Sequence, residues 1–234
     1  DIFLEQLISD EGNIQSSYRD FWLKRKHHVL TKRAQYLEQI LFSDFKAFAQ
    51  LIKSIPESYM VQLANSSTVR YAQLFDMSKT NPVFCNRGTS GIDGSTSTAV
   101  GAAVHYKSPT LLISGDLSFL YDVNGLWNKY LRNDLRLLVM NNGGGGIFRI
   151  LPGKEESPEF EQYFETPQNQ SIAALCAAYG LEYCEAKDEE SLATQLSTFY
   201  DPSESPKLLD IRTPRKLNDK ILLGYFEFLS SDKS

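Results

Sequence analysis

The sequence predicts an α/β fold, a doubly wound and mostly parallel sheet with helices on both faces. Strand-like apolar runs alternate with helix-like stretches from Tyr59 to Ile211, the rhythm of an open parallel sheet. Two of those runs lead into polar, glycine-bearing words, Gly115-Asp116-Leu117-Ser118 and Asn141-Asn142-Gly143-Gly144-Gly145-Gly146. In such sheets ligands bind in the loops beyond the carboxyl ends of the strands. With 234 residues, 42% of them hydrophobic and 23% charged, the chain has enough apolar material to bury a core.

Taken in order, residues 1–42 read as linker and the end of a preceding middle domain, and 43–234 as the sheet domain. The stretch from Ser17 to about Ser43 is polar and basic (Lys24, Arg25, Lys26, His27, His28, Lys32, Arg33), with Phe21, Trp22, Leu23 and Leu30 interspersed. It is expected to be a linker and helix packed on a partner domain. Because the chain begins with Asp1 rather than methionine, a fragment is expected. Asp44 to Ile55 has helical apolar spacing (Phe45, Phe48, Leu51, Ile52), with Ser43 as N-cap and Pro56 as the stop. A short strand follows at Tyr59 to Ala64. The alternation then runs through strand Val83 to Cys85, helix Ser95 to His105, strand Thr110 to Ser114, helix Phe119 to Leu131 and strand Leu135 to Met140. Helix Ile172 to Tyr179, ended by Gly180, precedes strand Leu181 to Cys184, helix Glu189 to Tyr200 and strand Lys207 to Ile211.

The formal net charge of -5 argues against a phosphate-tracking basic surface, so nucleic acid is not an expected partner. Cys85, Cys176 and Cys184 lack metal-ligand spacing and sit among apolar residues, which suggests reduced thiols and a cytoplasmic location. No apolar run approaches the roughly 20 residues of a membrane-spanning helix, and no leader pattern opens the chain.

Read alone, Gly115-Asp116 is a turn whose aspartate caps a helix. The second word changes its meaning, since Asn142 follows 26 positions after Asp116 at the end of the next strand, and both offer oxygens to one crevice. An Asp carboxylate, an Asn amide oxygen and a glycine carbonyl are hard ligands suited to Mg²⁺ or Ca²⁺, which complete their shells with phosphate oxygens and water. A metal-bridged diphosphate is the implied ligand, and glycines let the backbone approach it closely. A hairpin at Asn142-Gly143 would need an antiparallel strand where the sequence offers Ile147-Phe148-Arg149 and Pro152. A Walker-type loop fails because no Lys-Ser or Lys-Thr closes the glycine run.

This spacing of Gly-Asp and Asn-Asn resembles the thiamine-diphosphate motif. Most families with that motif have glycine after the aspartate; Leu117-Ser118 instead is similar to the menaquinone-pathway 2-succinyl-5-enolpyruvyl-6-hydroxy-3-cyclohexene-1-carboxylate synthases. Asn86-Arg87-Gly88, Ser90-Gly91-Ile92-Asp93-Gly94, and Asn65-Ser66 followed by Arg70 extend the resemblance, which runs from about residue 43 to the end and is weakest from 155 onward. It implies that 43–234 is the thiamine-diphosphate-binding PP-type domain, with thiamine diphosphate and Mg²⁺ (or Mn²⁺) as cofactors. By that resemblance Asp116 and Asn142 ligate the metal by side chain and Gly144 by its carbonyl. Ser90, Gly91, Gly115, Leu117, Ser118 and Ile147 line the cofactor, and Ile92 props it in a bent shape. Ser66, Arg70 and Arg87 match positions that hold substrate carboxylates, and Ile147, Phe148 and Leu151 an apolar wall over cofactor and substrate. The implied reaction decarboxylates 2-oxoglutarate and adds the succinyl-semialdehyde unit to isochorismate. Both substrates are dianions that a guanidinium fork suits.

The resemblance also implies a homodimer or homotetramer in which the pyrimidine-binding domain of a neighbouring subunit supplies an activating glutamate, so that the chain alone is inactive. Two rival readings are another thiamine-diphosphate carboligase or decarboxylase such as acetolactate synthase, whose small substrates would not call for Arg70 and Arg87, and a non-catalytic diphosphate-binding module. His27-His28 reads as a solvated pair and His105 as a helix-end cation. Glu155-Glu156 and Glu189-Glu190 read as surface and helix-start charges.

Overall fold

A computed structural model describes residues 16–152 and 157–231 of the chain. The described residues fall into two compact units, a larger one spanning Ile40–Gly224 and a smaller one joining the residues before Ile40 to those from Tyr225 on. In the smaller unit, helix α1 (Tyr18–Gln39) has no buried residue. Tyr36 packs on Tyr225 and Phe228 at ring distances of 5.6 and 5.4 Å, and Lys32 lies over Phe228. Of the linker and helix expected over this stretch, the helix is present and runs unbroken from Tyr18 to Gln39. Its polar residues are mostly Lys, Arg, Glu and Gln, straight-chain helix formers that need no buried face to favour the conformation.

The larger unit is a six-stranded sheet, every described pairing parallel, in the order β2-β1-β3-β4-β6-β5. Its elements are α2 (Asp44–Ser54), β1 (Met60–Leu63), α3 (Ser67–Ala72), β2 (Val83–Cys85), α4 (Ser95–His105), β3 (Thr110–Gly115) and α5 (Asp116–Tyr121). After these come β4 (Arg136–Asn141), α6 (Ile172–Tyr179), β5 (Glu182–Ala186), α7 (Glu189–Phe199), β6 (Lys207–Arg212) and α8 (Asn218–Ser230), the last continuing into the smaller unit. Ser43 caps α2 as expected, its hydroxyl accepting from the Lys46 N–H, an arrangement that typically stabilises a helix by about 1 kcal/mol.

Register and pleat decide which apolar residues meet. Leu112 lies beside Leu137, and Leu137 beside Leu208; with Val139 they face Ala99, Val100 and Ala103 of α4, Phe119 of α5, and Ile172 and Cys176 of α6. Alternation sends Leu111, Ile113, Leu138, Met140, Leu209 and Ile211, all buried, to the opposite face. Near-continuous apolar strands of this kind are what a sheet covered on both sides requires.

Three stretches depart from the expected elements. The expected helix Phe119 to Leu131 starts earlier and is short, Asp116–Tyr121 followed by a 3₁₀ turn at Val123–Leu126. The break comes at Asp122, whose buried carboxylate accepts from the Ser97 N–H and hydroxyl, each at 2.6 Å, and so caps the first turn of α4. The last residues form helix α8, where only the βα rhythm was expected. A 3₁₀ turn at Gly146–Ile150 and a π-helix at Phe160–Glu165 also fall outside the expected elements. Glu155-Glu156 lies outside the described residues. Among the described residues no helix is long and apolar enough to cross a membrane.

Candidate cation and diphosphate site

The chain passes from β1 to β2 in one direction across the sheet, returns to the other side of β1 for β3, and continues outward to β4. The order therefore reverses between β1 and β3, and a crevice forms where the loops after these strands diverge. A cavity of about 130 Å³ lies there. Its walls come from the loop after β1 (Asn65, Ser66), the junction of β3 with α5 (Gly115 to Ser118) and the glycine segment after β4 (Asn142, Gly144 to Phe148). Ile92, Met140 of β4, Asp44 and Phe48 of α2, and Ser67, Thr68 and Tyr71 of α3 complete it.

Asp116 is buried at the first position of α5, and its carboxylate accepts from the Leu117 N–H at 2.8 Å and from Gln168 Nε2 at 3.0 Å. Burial pushes its pKa up from 3.8 to about 6, against the hydrogen bonds from Gln168 and Leu117 and helped by the nearby Asp44 carboxylate. Asp44 is raised as well, again by burial. Two buried carboxyls facing one cavity leave it short of positive charge.

Asn142 adds a further electron-rich oxygen to it. Its Nδ2 donates to Asp44 Oδ2 at 2.9 Å, while its Oδ1, fully buried, has no hydrogen-bond partner. An orphaned buried amide oxygen costs about 1–3 kcal/mol unless something coordinates it. Asp116, Asn142 and the backbone carbonyl of Gly144, which also accepts from Gly146 N–H at 3.0 Å, supply hard oxygen ligands that fit a divalent cation. Among the described residues no group of three His, Cys, Asp or Glu is placed to hold a metal, so a cation here would draw on amide and backbone oxygens.

The glycines are needed for space. Gly144 has φ +147°, and a Cβ on it would lie 2.6 Å from the Glu165 carbonyl oxygen. The same carbonyl accepts from Gly145 N–H at 2.6 Å, so the end of the π-helix presses directly on the glycine segment. Glu165, buried, is held by Arg149 and by Arg215 Nη1 at 2.7 Å, and Glu161 receives Lys216 Nζ at 2.6 Å. This ion network clamps 146–150 to 160–165. The single-turn π-helix is a form often found beside functional sites.

Of the residues singled out in the sequence, Ser66, Ile92, Gly115, Asp116, Leu117, Ser118, Asn142, Gly144, Ile147 and Phe148 line the cavity. Ser118 Oγ donates to the Ile92 carbonyl at 2.5 Å, fixing the isoleucine's backbone against α5. Arg70 faces an adjoining cleft, where Asp44, Asn142, Ile147, Asn218 and Asp219 also lie, and donates to the Ser66 carbonyl at 2.8 Å. Ser66 takes φ +65°, uncommon for a non-glycine residue. Arg87, Ser90, Gly91 and Leu151 are not in the cavity wall. Arg87 is exposed, with Nη1 3.3 Å from Asn65 Oδ1; Ser90 donates to the Arg87 carbonyl; Gly91 is tied by its carbonyl to Asn65 Nδ2 at 2.6 Å; Leu151 is half exposed. Asp44 and Gln168 were not singled out. The first reads only as a helix-start acid and the second as a loop residue, because their partners are remote in sequence.

The family described as "Thiamine pyrophosphate enzyme, C-terminal TPP binding domain" matches residues 65–211. Curated relatives named "2-succinyl-5-enolpyruvyl-6-hydroxy-3-cyclohexene-1-carboxylate synthase" are similar to the chain: that of Christiangramia forsetii is 48% identical over 91% of this chain and 36% of its own length. Those of Flavobacterium johnsoniae (50% over 85% of this chain, 36% of its own) and Porphyromonas gingivalis (41% over 96%, 39% of its own) are comparable. The chain thus spans little more than a third of the relatives' length.

Proposed function

The chain belongs to the thiamine pyrophosphate enzymes as their C-terminal TPP-binding domain, and from that premise we propose that it supplies the diphosphate and cation half of the active site of a 2-succinyl-5-enolpyruvyl-6-hydroxy-3-cyclohexene-1-carboxylate synthase. Thiamine pyrophosphate with a divalent cation such as Mg²⁺ is the family's cofactor, and when bound it supplies the electron sink for decarboxylation and carbon–carbon bond formation. The observation that carries the reading is the unpartnered, buried Asn142 Oδ1 in the same cavity as the buried Asp116 carboxyl, beside Gly144, where a Cβ would lie 2.6 Å from the Glu165 carbonyl oxygen.

In this reading Asp116, Asn142 and the Gly144 carbonyl hold the cation. Gly115, Leu117 and Ser118 receive the diphosphate and ring portions; Ser90 and Gly91, which do not line the cavity in this structure, extend that contact from the segment before Ile92; and Ile92 and Ile147 press on the cofactor from apolar sides. Phe148 and Leu151 keep water from the reacting end, Phe148 being held edge-on against Phe164 at 5.7 Å. Ser66, Arg70 and Arg87 bind the carboxylates of 2-oxoglutarate and isochorismate. The intact protein works in the cytoplasm as a homodimer or homotetramer, and a pyrimidine-binding domain of a neighbouring subunit completes the pocket.

The test is an assay of the intact protein with thiamine pyrophosphate and Mg²⁺. Consumption of 2-oxoglutarate that depends on isochorismate, with CO₂ released, is expected. Turnover of pyruvate in preference to 2-oxoglutarate would overturn the substrate assignment.

A further inference from the structure

We propose that Asp44 is a positioning residue that fixes the orientation of the Asn142 amide and so aims its oxygen at the cation; the inference rests on the cation site proposed above. An asparagine amide can turn over with little change in shape, and only its hydrogen-bond partners decide which end faces which way. Here the decision is made by a closed network. Both Asp44 carboxylate oxygens accept: Oδ1 from Thr213 Oγ1 at 2.5 Å and Oδ2 from Asn142 Nδ2 at 2.9 Å. Asn218 Oδ1 accepts from the Asp44 backbone N–H at 2.9 Å, and Asn218 Nδ2 reaches Thr213 Oγ1 at 3.3 Å, so the threonine hydroxyl is left to donate to Asp44. The opposite turn of Asn142 would set its oxygen against a carboxylate oxygen.

The network spans four separate parts of the larger unit: the start of α2, the residue after β4, the residue after β6 and the start of α8. All four side chains are buried, with Asp44 2% and Asn142 9% exposed. Asp44 and Asn142 both line the cavity, so the carboxylate stands one residue behind the proposed ligand. Partners that orient a metal ligand in this way typically change metal affinity about 10- to 100-fold when removed.

The experiment measures Mn²⁺ affinity of the intact protein in the presence of thiamine pyrophosphate, by calorimetry and by the spin-resonance signal of free Mn²⁺, together with thermal melting. For Asp44→Ala the cation Kd is expected to rise about 10- to 100-fold. For Asp44→Asn combined with Thr213→Ala, in which no hydroxyl claims the new amide oxygen so that it can accept from Asn142 Nδ2, it is expected to stay within about threefold. Asp44→Ser, too short to reach Asn142, replaces the alanine variant if that one does not fold and is expected to match its loss. A folded alanine or serine variant with wild-type Mn²⁺ affinity overturns the inference, since a merely structural Asp44 would lower only the melting temperature. Equal losses for the alanine variant and the Asp44→Asn/Thr213→Ala variant also overturn it, because charge rather than orientation would then be what matters. If wild-type protein binds no Mn²⁺ with the cofactor, the site reading falls, and the inference with it.

Discussion

At the scale of single residues, Asp116 ties structure to a pH signature. Its folded pKa of about 6 lies above the 3.8 it has when unburied, so the folded state holds this proton more tightly. The stabilisation from that proton is fully present below about pH 4 and is lost as pH rises through about 6. A divalent cation binds only the ionised form and so restores what ionisation removes. Mg²⁺ with thiamine pyrophosphate is therefore expected to raise the melting temperature more at pH 7.5 than at pH 5, as scanning fluorimetry would measure. An equal shift at both pH values would contradict the role of this carboxylate.

Arg70 and Arg87 give a different separation. In the proposed reading each guanidinium makes a charge-assisted carboxylate contact worth about 1.5–3 kcal/mol. Each alanine variant of the intact protein should thus lose about 10- to 100-fold in kcat/KM for the dianionic substrates while keeping its cofactor affinity. Steady-state kinetics beside calorimetry would check this; parallel losses in both would place these arginines at the cofactor. That Asp116 and Asn142 come together in one cavity was legible in their spacing, which joins two strand ends, while Gly144 was singled out through the family resemblance. Asp44 and Gln168 were not, because burial comes from tertiary partners such as Thr213 and Asn218, 169 and 174 positions from Asp44.

At the scale of elements, helices and strands with strong apolar periodicity were legible, including the Ser43 cap of α2 and the Gly180 stop of α6, where φ is +72°. The break after Tyr121 was not, since its cause is a contact with α4 rather than a local signal. Gly94 precedes α4 without a side-chain cap, and Asp122 supplies that cap from elsewhere in the chain. Asp122→Ala should cost about 1–3 kcal/mol by leaving the Ser97 N–H unsatisfied, measurable by urea unfolding. A variant within about 0.3 kcal/mol of wild type would show that water replaces the carboxylate there. Segments 146–150 and 160–165 had no readable period, because they are held by the Arg149, Glu165 and Arg215 ion network and by backbone contact with the glycines.

At the scale of the whole molecule, strand alternation predicted a parallel sheet, and the order of strands with its reversal between β1 and β3 explains why the site sits where it does. In the proposed assembly, half of the pocket for the cofactor's ring end belongs to a pyrimidine-binding domain of a neighbouring subunit. The chain alone should accordingly show turnover of 2-oxoglutarate at least 100-fold below that of the intact protein, as an activating acid contributes about 10²–10⁴-fold. Comparable turnover by both would mean that the chain supplies its own acid. The most direct test of the central claim, that Asp116 and Asn142 hold a cation for the diphosphate, is calorimetric titration of thiamine pyrophosphate with Mg²⁺ into the intact wild-type protein and into Asp116→Ala. Mg²⁺-dependent binding that is abolished in a folded Asp116→Ala variant is predicted, since a hard cation then has only neutral ligands; affinity unchanged by the substitution would contradict the account.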